Sequence, residues 1–215
     1  MRHKDTIALY DYWNEIRAGR DAPLRTEISP AALGRLLPSV MLLERRDNGE
    51  IVFRLAGTKL CNLRCAELKG KQLTDLFRHA DRLSLVKVLH SVERQNALVV
   101  LDAVARRRDG NAVVLEMAFM PLADETTRIL GIISMAKAPY WFGADPAELE
   151  IRGIRYMDPQ ADLVFLQSRP SVILPRGRES RETPARQSLH IVKGDGLSGA
   201  KRGLRAFRVY DGGKK

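Results

Sequence analysis

Two cysteines, two histidines and two carboxylates are the side chains in this sequence whose types and spacing could do chemistry. Cys61 and Cys65 are four apart, so on a continuous helix their sulfurs would share a face. Two thiols fall short of the four ligands of a structural zinc site, and no histidine lies close in sequence. The pair therefore reads as apolar thiols in a core, with redox sensing as the alternative. His79 and His90 fall at and within a helical stretch, where a lone histidine is ordinarily a surface or satisfied core residue. Asp102 and Glu116 fall in strand-like runs with no identifiable partner, so they nominate no general acid and base. The chain has no Gly-x-Ser-x-Gly elbow, P-loop or Rossmann fingerprint. The expectation is a protein without enzymatic activity, catalytic residues or a metal site.

Length and charge bound what must position these groups. The 215 residues suffice for a self-supporting core. Residues 167–215 hold twelve Lys or Arg against four Asp or Glu, whereas residues 1–166 hold 24 against 22. Most of the formal charge of +10 thus sits in the last quarter. That quarter is also glycine-rich and poor in apolar periodicity, which predicts a domain over 1–160 and a basic, largely disordered extension over 161–215. The extension would suit an acidic partner, nucleic acid or an anionic membrane surface. Two cysteines make no disulfide framework and no leader pattern opens the chain, so a cytoplasmic location is expected. The clearest apolar runs, 97–101 and 129–136, are far below the ~20 residues of a membrane helix, and no transmembrane segment is expected.

Periodicity then supplies the elements. Ile7, Tyr10, Trp13 and Ile16 recur every three residues over 5–17, an amphipathic helix ended by Gly19. Its stripe packs either on the domain's own sheet or on a second chain. Residues 40–44 and 51–56 are strands joined through Asn48-Gly49, a hairpin signal. Thr58 caps short helical turns, and Leu85, Val86, Leu89 and Val92 mark a helix over 82–94. Strands over 97–105 and 112–120 flank a second hairpin turn at Asp109-Gly110, and 129–137 gives a fifth strand. Tyr140, Trp141 and Phe142 read as packing over the end of the core, and 151–156 as an extra strand or a return segment. The order predicts an α+β fold, a five-stranded antiparallel sheet with helices on one face.

The "F-R-L-A-G-T" of residues 53–58, leading to "E-L-K-G" at 67–70, resembles the PAS sensory fold. With "L-Y-D-Y-W" (9–13), Pro23, Arg25, "I-S-P" (28–30) and "R-L-L-P" (35–38), the chain resembles single-domain PAS proteins abundant in alphaproteobacteria over roughly residues 5–160. One departure is Cys65, where glycine is expected. The resemblance implies a sensory or regulatory module acting through ligand binding or protein–protein contact in signal transduction. Phe53, Leu55, Val114 and Phe119 are the expected inward-facing positions lining the core or a small-molecule pocket, with no cofactor specified. Ile7, Tyr10, Trp13 and Ile16 are the expected surface for a homodimer or partner chain. Haem-binding PAS domains draw an iron ligand from the helix that His79 and His90 occupy, while the flavin motif "N-C-R-F-L" is only shuffled in Cys61-Asn62-Leu63-Arg64. The alternatives are a nucleic-acid-associated regulator using the basic tail, or a redox or haem sensor.

Overall fold

A computed structural model of the chain describes residues 1–124 and 128–157. Among the described residues four α-helices, α1 (Lys4–Arg17), α2 (Pro30–Leu33), α3 (Thr58–Arg64) and α4 (His79–Gln95), accompany six strands. The strands are β1 (Val40–Arg45), β2 (Ile51–Ala56), β3 (Leu98–Arg106), β4 (Ala112–Leu122), β5 (Arg128–Ser134) and β6 (Glu148–Met157). They form one antiparallel sheet in the order β2-β1-β5-β4-β3-β6.

Each turn has a local cause. Ser29 Oγ accepts the Ala32 amide, and Pro30 opens α2 where its missing N–H costs nothing. Gly49 and Gly110 take φ of 86° and 91° in the two hairpin turns, a region that strains residues with a Cβ. Helix α3 stops at Cys65, whose φ of 50° and ψ of 36° are left-handed. The turn that favours glycine is therefore retained, with a Cβ in it.

The sheet is buried on both faces, not one. Leu43, Phe53, Leu101, Met117, Phe119 and Ile133 belong to an inner core with Leu60 and Leu63 of α3 and Leu85, Val88, Leu89 and Val92 of α4. Leu42, Val100, Ala118, Met120 and Ile132 belong to an outer core with Leu9, Tyr10 and Trp13 of α1. Double coverage explains the unbroken apolar runs of the central strands, in which the alternation of a half-buried strand disappears.

The sixth strand corrects the expected five. β6 pairs with β3 from Leu98–Met157 to Arg106–Glu148, with an irregularity opposite Asp102 and Ala103. As an edge strand with one covered face, carrying Gly153 and an extra residue, it gives only weak periodicity. Residues 158–215, and with them the expected basic extension, lie outside the described residues. Among the described residues no helix is long and apolar enough to cross a membrane.

Candidate functional site

Of the four expected pocket-wall residues, the fold brings two together. Phe53 and Phe119 are 1% and 0% exposed in the inner core. Leu55 and Val114 are 48% and 70% exposed and leave the wall. A bulge is the reason at Leu55: Leu42 pairs with Leu55 but Leu43 pairs with Phe53, so Arg54 is one extra residue that inverts the phase of β2. At Val114 the reason is parity, since positions 114 and 119 are an odd number apart along an unbroken pairing and must face opposite sides. The wall positions on β4 that do face inward are Leu115 and Met117.

The α1 stripe is rotated from its expected centre. Tyr10 and Trp13 are buried on the sheet beside Leu9, Ile16 is half-buried, and Ile7 is 38% exposed. Trp13 Nε1 donates to the Pro121 carbonyl at 2.9 Å, its ring lies 6.3 Å from that of Tyr10, and the Arg17 guanidinium sits 5.4 Å from its centroid. A buried indole needs such an acceptor, and this one is backbone of the neighbouring strand.

Where α1 begins, it is held by a polar group that the sequence reading left unassigned. Glu116 on β4 is almost wholly buried, and its carboxylate accepts the amide of Arg2 at 3.0 and 3.2 Å and that of His3 at 3.3 Å. His3 caps α1 without a side-chain bond of its own, so the strand carboxylate supplies the acceptor at the helix entrance. Arg155 Nη2 on β6 donates to Glu116 Oε2 at 2.9 Å and to Asp102 Oδ1 at 2.8 Å, and Thr6 Oγ1 donates to Ser134 Oγ at 2.9 Å. Burial alone would push the Glu116 carboxyl up. The His3 amide, the Thr6 side chain, the Arg2 amide and the Arg155 guanidinium outweigh it and hold the carboxyl below the ordinary glutamate value. The signal was available in the sequence: a glutamate inside the apolar run Val113 to Phe119 must be paired if that strand is buried.

The side chains whose types could do chemistry are dispersed. The Cys61 thiol is half-buried, 3.8 Å from the Ala56 carbonyl, and Cys65 is exposed. Because α3 ends at Arg64, the two do not share a helix face. His79 and His90 are on the exposed side of α4, away from its buried face of Leu85, Val88, Leu89 and Val92. Asp102 and Glu116 have found partners in an ion-pair group that ties α1, β3, β4 and β6. Among the described residues no group of three or more His, Cys, Asp or Glu could hold a metal ion.

An antiparallel sheet with short helical turns after its second strand, a long helix before its third and an N-terminal helix on the far face agrees with the family comparison. The family model described as "PAS domain" matches residues 1–134, more than half of the chain. The chain belongs to the PAS domain family. Strand β6 lies beyond the part of this PAS chain that the family model matches. Among solved structures, the chain is similar to the light-state structure of the blue-light photoreceptor Aureochrome1 LOV. The identity is 15% and the TM-score 0.37, with 53% of this chain and 92% of that chain covered. No curated protein matches.

Proposed function

We propose that this PAS protein is a non-enzymatic regulatory module of signal transduction, of the single-domain alphaproteobacterial kind, that works by protein–protein contact through α1. The observation that carries the reading is how α1 is attached. Its packing on the outer sheet face is reinforced by discrete polar bonds, Glu116 to the Arg2 and His3 amides, Thr6 to Ser134 and Trp13 to Pro121, which bind one seating of the helix. Ile7 is exposed on one flank of the seated helix and Ile16 is half-buried against the outer core on the opposite flank, apolar groups at the two edges of the helix that a second chain could meet. Against a ligand in the inner core stands the filling of that space by Phe53, Phe77 and Phe119, none more than 1% exposed.

Trp13 is unsuitable as a probe of this contact because removing a fully buried indole costs about 3–5 kcal/mol of folding stability. Ile7→Asp and Ile16→Asp change the two flanks of the helix and leave Trp13 and Tyr10 in place. Light scattering of the full chain across a concentration series is expected to show self-association in the wild type that both changes weaken, with circular dichroism unaltered. A wild type that stays monomeric throughout, or variants that associate as the wild type does, would remove the α1 contact.

A further inference from the structure

We propose that an arginine-lined cleft at the start of β6 binds a small polyanion of the phosphate-ester or pyrophosphate class. The cleft has a volume of about 350 Å³. Arg64 from the end of α3, Arg78 from the entrance to α4, Arg106 from the end of β3, and Arg107 and Arg108 from the β3–β4 turn converge on it. Glu148 and Glu150 are the carboxylates of its lining. The convergence is a product of the sixth strand: Arg106 pairs with Glu148 across β3 and β6, and the Arg78 amide donates to the Leu149 carbonyl at 3.0 Å.

Local carboxylates consume only part of this charge. Glu150 is shared by Arg78 at 3.0 Å, Arg106 at 3.7 Å and Arg152 at 3.2 Å, and Arg78 has a second carboxylate in Asp81 at 2.7 Å, so two carboxylates serve three guanidiniums. Arg107 is held in place by Asp145 at 2.8 Å and Asp109 at 3.2 Å and sits 5.8 Å from the centroid of Trp141. Arg64 meets the Ala147 carbonyl at 3.3 Å, and among the described residues neither it nor Arg108 has a carboxylate within ion-pairing distance. A guanidinium cannot shed its proton at physiological pH, so the charge of Arg64 and Arg108, which no carboxylate among the described residues answers, is left for an anion, and forked donors fit phosphate oxygens.

The lining also limits the ligand. Trp141 is 3% exposed beneath Arg107, so the cleft offers no aromatic face for a nucleobase to stack upon. Single-stranded nucleic acid is thereby disfavoured relative to a compact, hydrophilic polyanion. The site stands independently of the α1 contact proposed above, and their tests share no residue.

The test is calorimetric titration of the full chain with inorganic pyrophosphate at constant ionic strength. Saturable binding at one site is expected. Arg64→Gln with Arg108→Gln should weaken it at least about tenfold, the loss of roughly 1.4 kcal/mol, with circular dichroism unchanged. The single exposed change Arg108→Glu should also weaken it. Arg176→Gln with Arg178→Gln and Arg181→Gln, in the basic tail, should leave the affinity within about twofold. An absence of saturable heat, a loss that follows the tail residues, or tighter binding of single-stranded oligonucleotide through Arg64 and Arg108 would each overturn the proposal.

Discussion

Arg155 on β6 reaches across β3 to Glu116 on β4, Nη2 donating to Oε2 at 2.9 Å, on the sheet face where α1 begins. This one bond joins the edge strand to the helix entrance, because the same carboxylate accepts the Arg2 and His3 amides. Asp102 completes the group from the strand between them, 2.8 Å from Arg155.

The arrangement carries a pH signature. The Glu116 carboxyl is held below its ordinary value of 4.5 in the fold, so its contribution is fully present above that value and is lost as pH falls through the lower, folded one. Glu116→Gln is expected to cost about 1–2 kcal/mol near neutrality, as donors to a charged acceptor are left with a weaker one. It should also flatten the fall of stability below pH 4.5. Urea unfolding of both proteins from pH 3 to 7 measures this, and parallel acid profiles would exclude the role assigned to Glu116.

The inverted phase of β2 gives a sharper contrast. Phe53→Ala should destabilise by roughly 3–5 kcal/mol, whereas Leu55→Ala, two residues on and 48% exposed, should cost less than about 1 kcal/mol. Equal losses in chemical denaturation would mean that both side chains share a face and that Arg54 does not occupy a bulge.

These two residues also mark how far the sequence could be read. The strands 1 to 5, the hairpin turns and the long helix followed from period, Asn48-Gly49, Asp109-Gly110 and the spacing of Leu85, Leu89 and Val92, all of them local signals. The bulge was not legible, since an alternating Ile51, Phe53, Leu55 looks the same whether or not the partner strand stays in step. Nor was the second covered face: continuous apolar runs such as Ile129 to Ile133 announce burial but not what buries them. The Glu116 group was half legible, as a buried carboxylate demands a partner, but Arg155 lies 39 residues away on a strand with little periodicity. The arginine cleft depends on that same strand and was equally hidden.

Helix α3 is bounded by a glycine that must be there and by a cysteine where glycine would serve better. At Gly57 the φ is ordinary, so the requirement is one of space: a Cβ would sit 2.4 Å from the Pro38 carbonyl oxygen and 2.5 Å from that of Leu37. Both obstacles are backbone, held by the Gly57 amide donating to Val40 O at 2.8 Å, and cannot swing aside as a side chain could. At Cys65 the situation is reversed. The residue is exposed, so its side chain contributes little burial, yet its φ of 50° places the Cβ in the left-handed region. Gly57→Ala is therefore expected to lose about 1–3 kcal/mol or more. Cys65→Gly should gain up to about 1 kcal/mol, reduced by the extra freedom glycine has in the unfolded chain. Thermal and urea denaturation of the two variants decide the matter by sign: a stable Gly57→Ala would mean that the loop at Leu37 and Pro38 can withdraw, and a destabilised Cys65→Gly would mean that the thiol's contact with the Asn62 carbonyl, at 3.5 Å, outweighs the strain of its backbone.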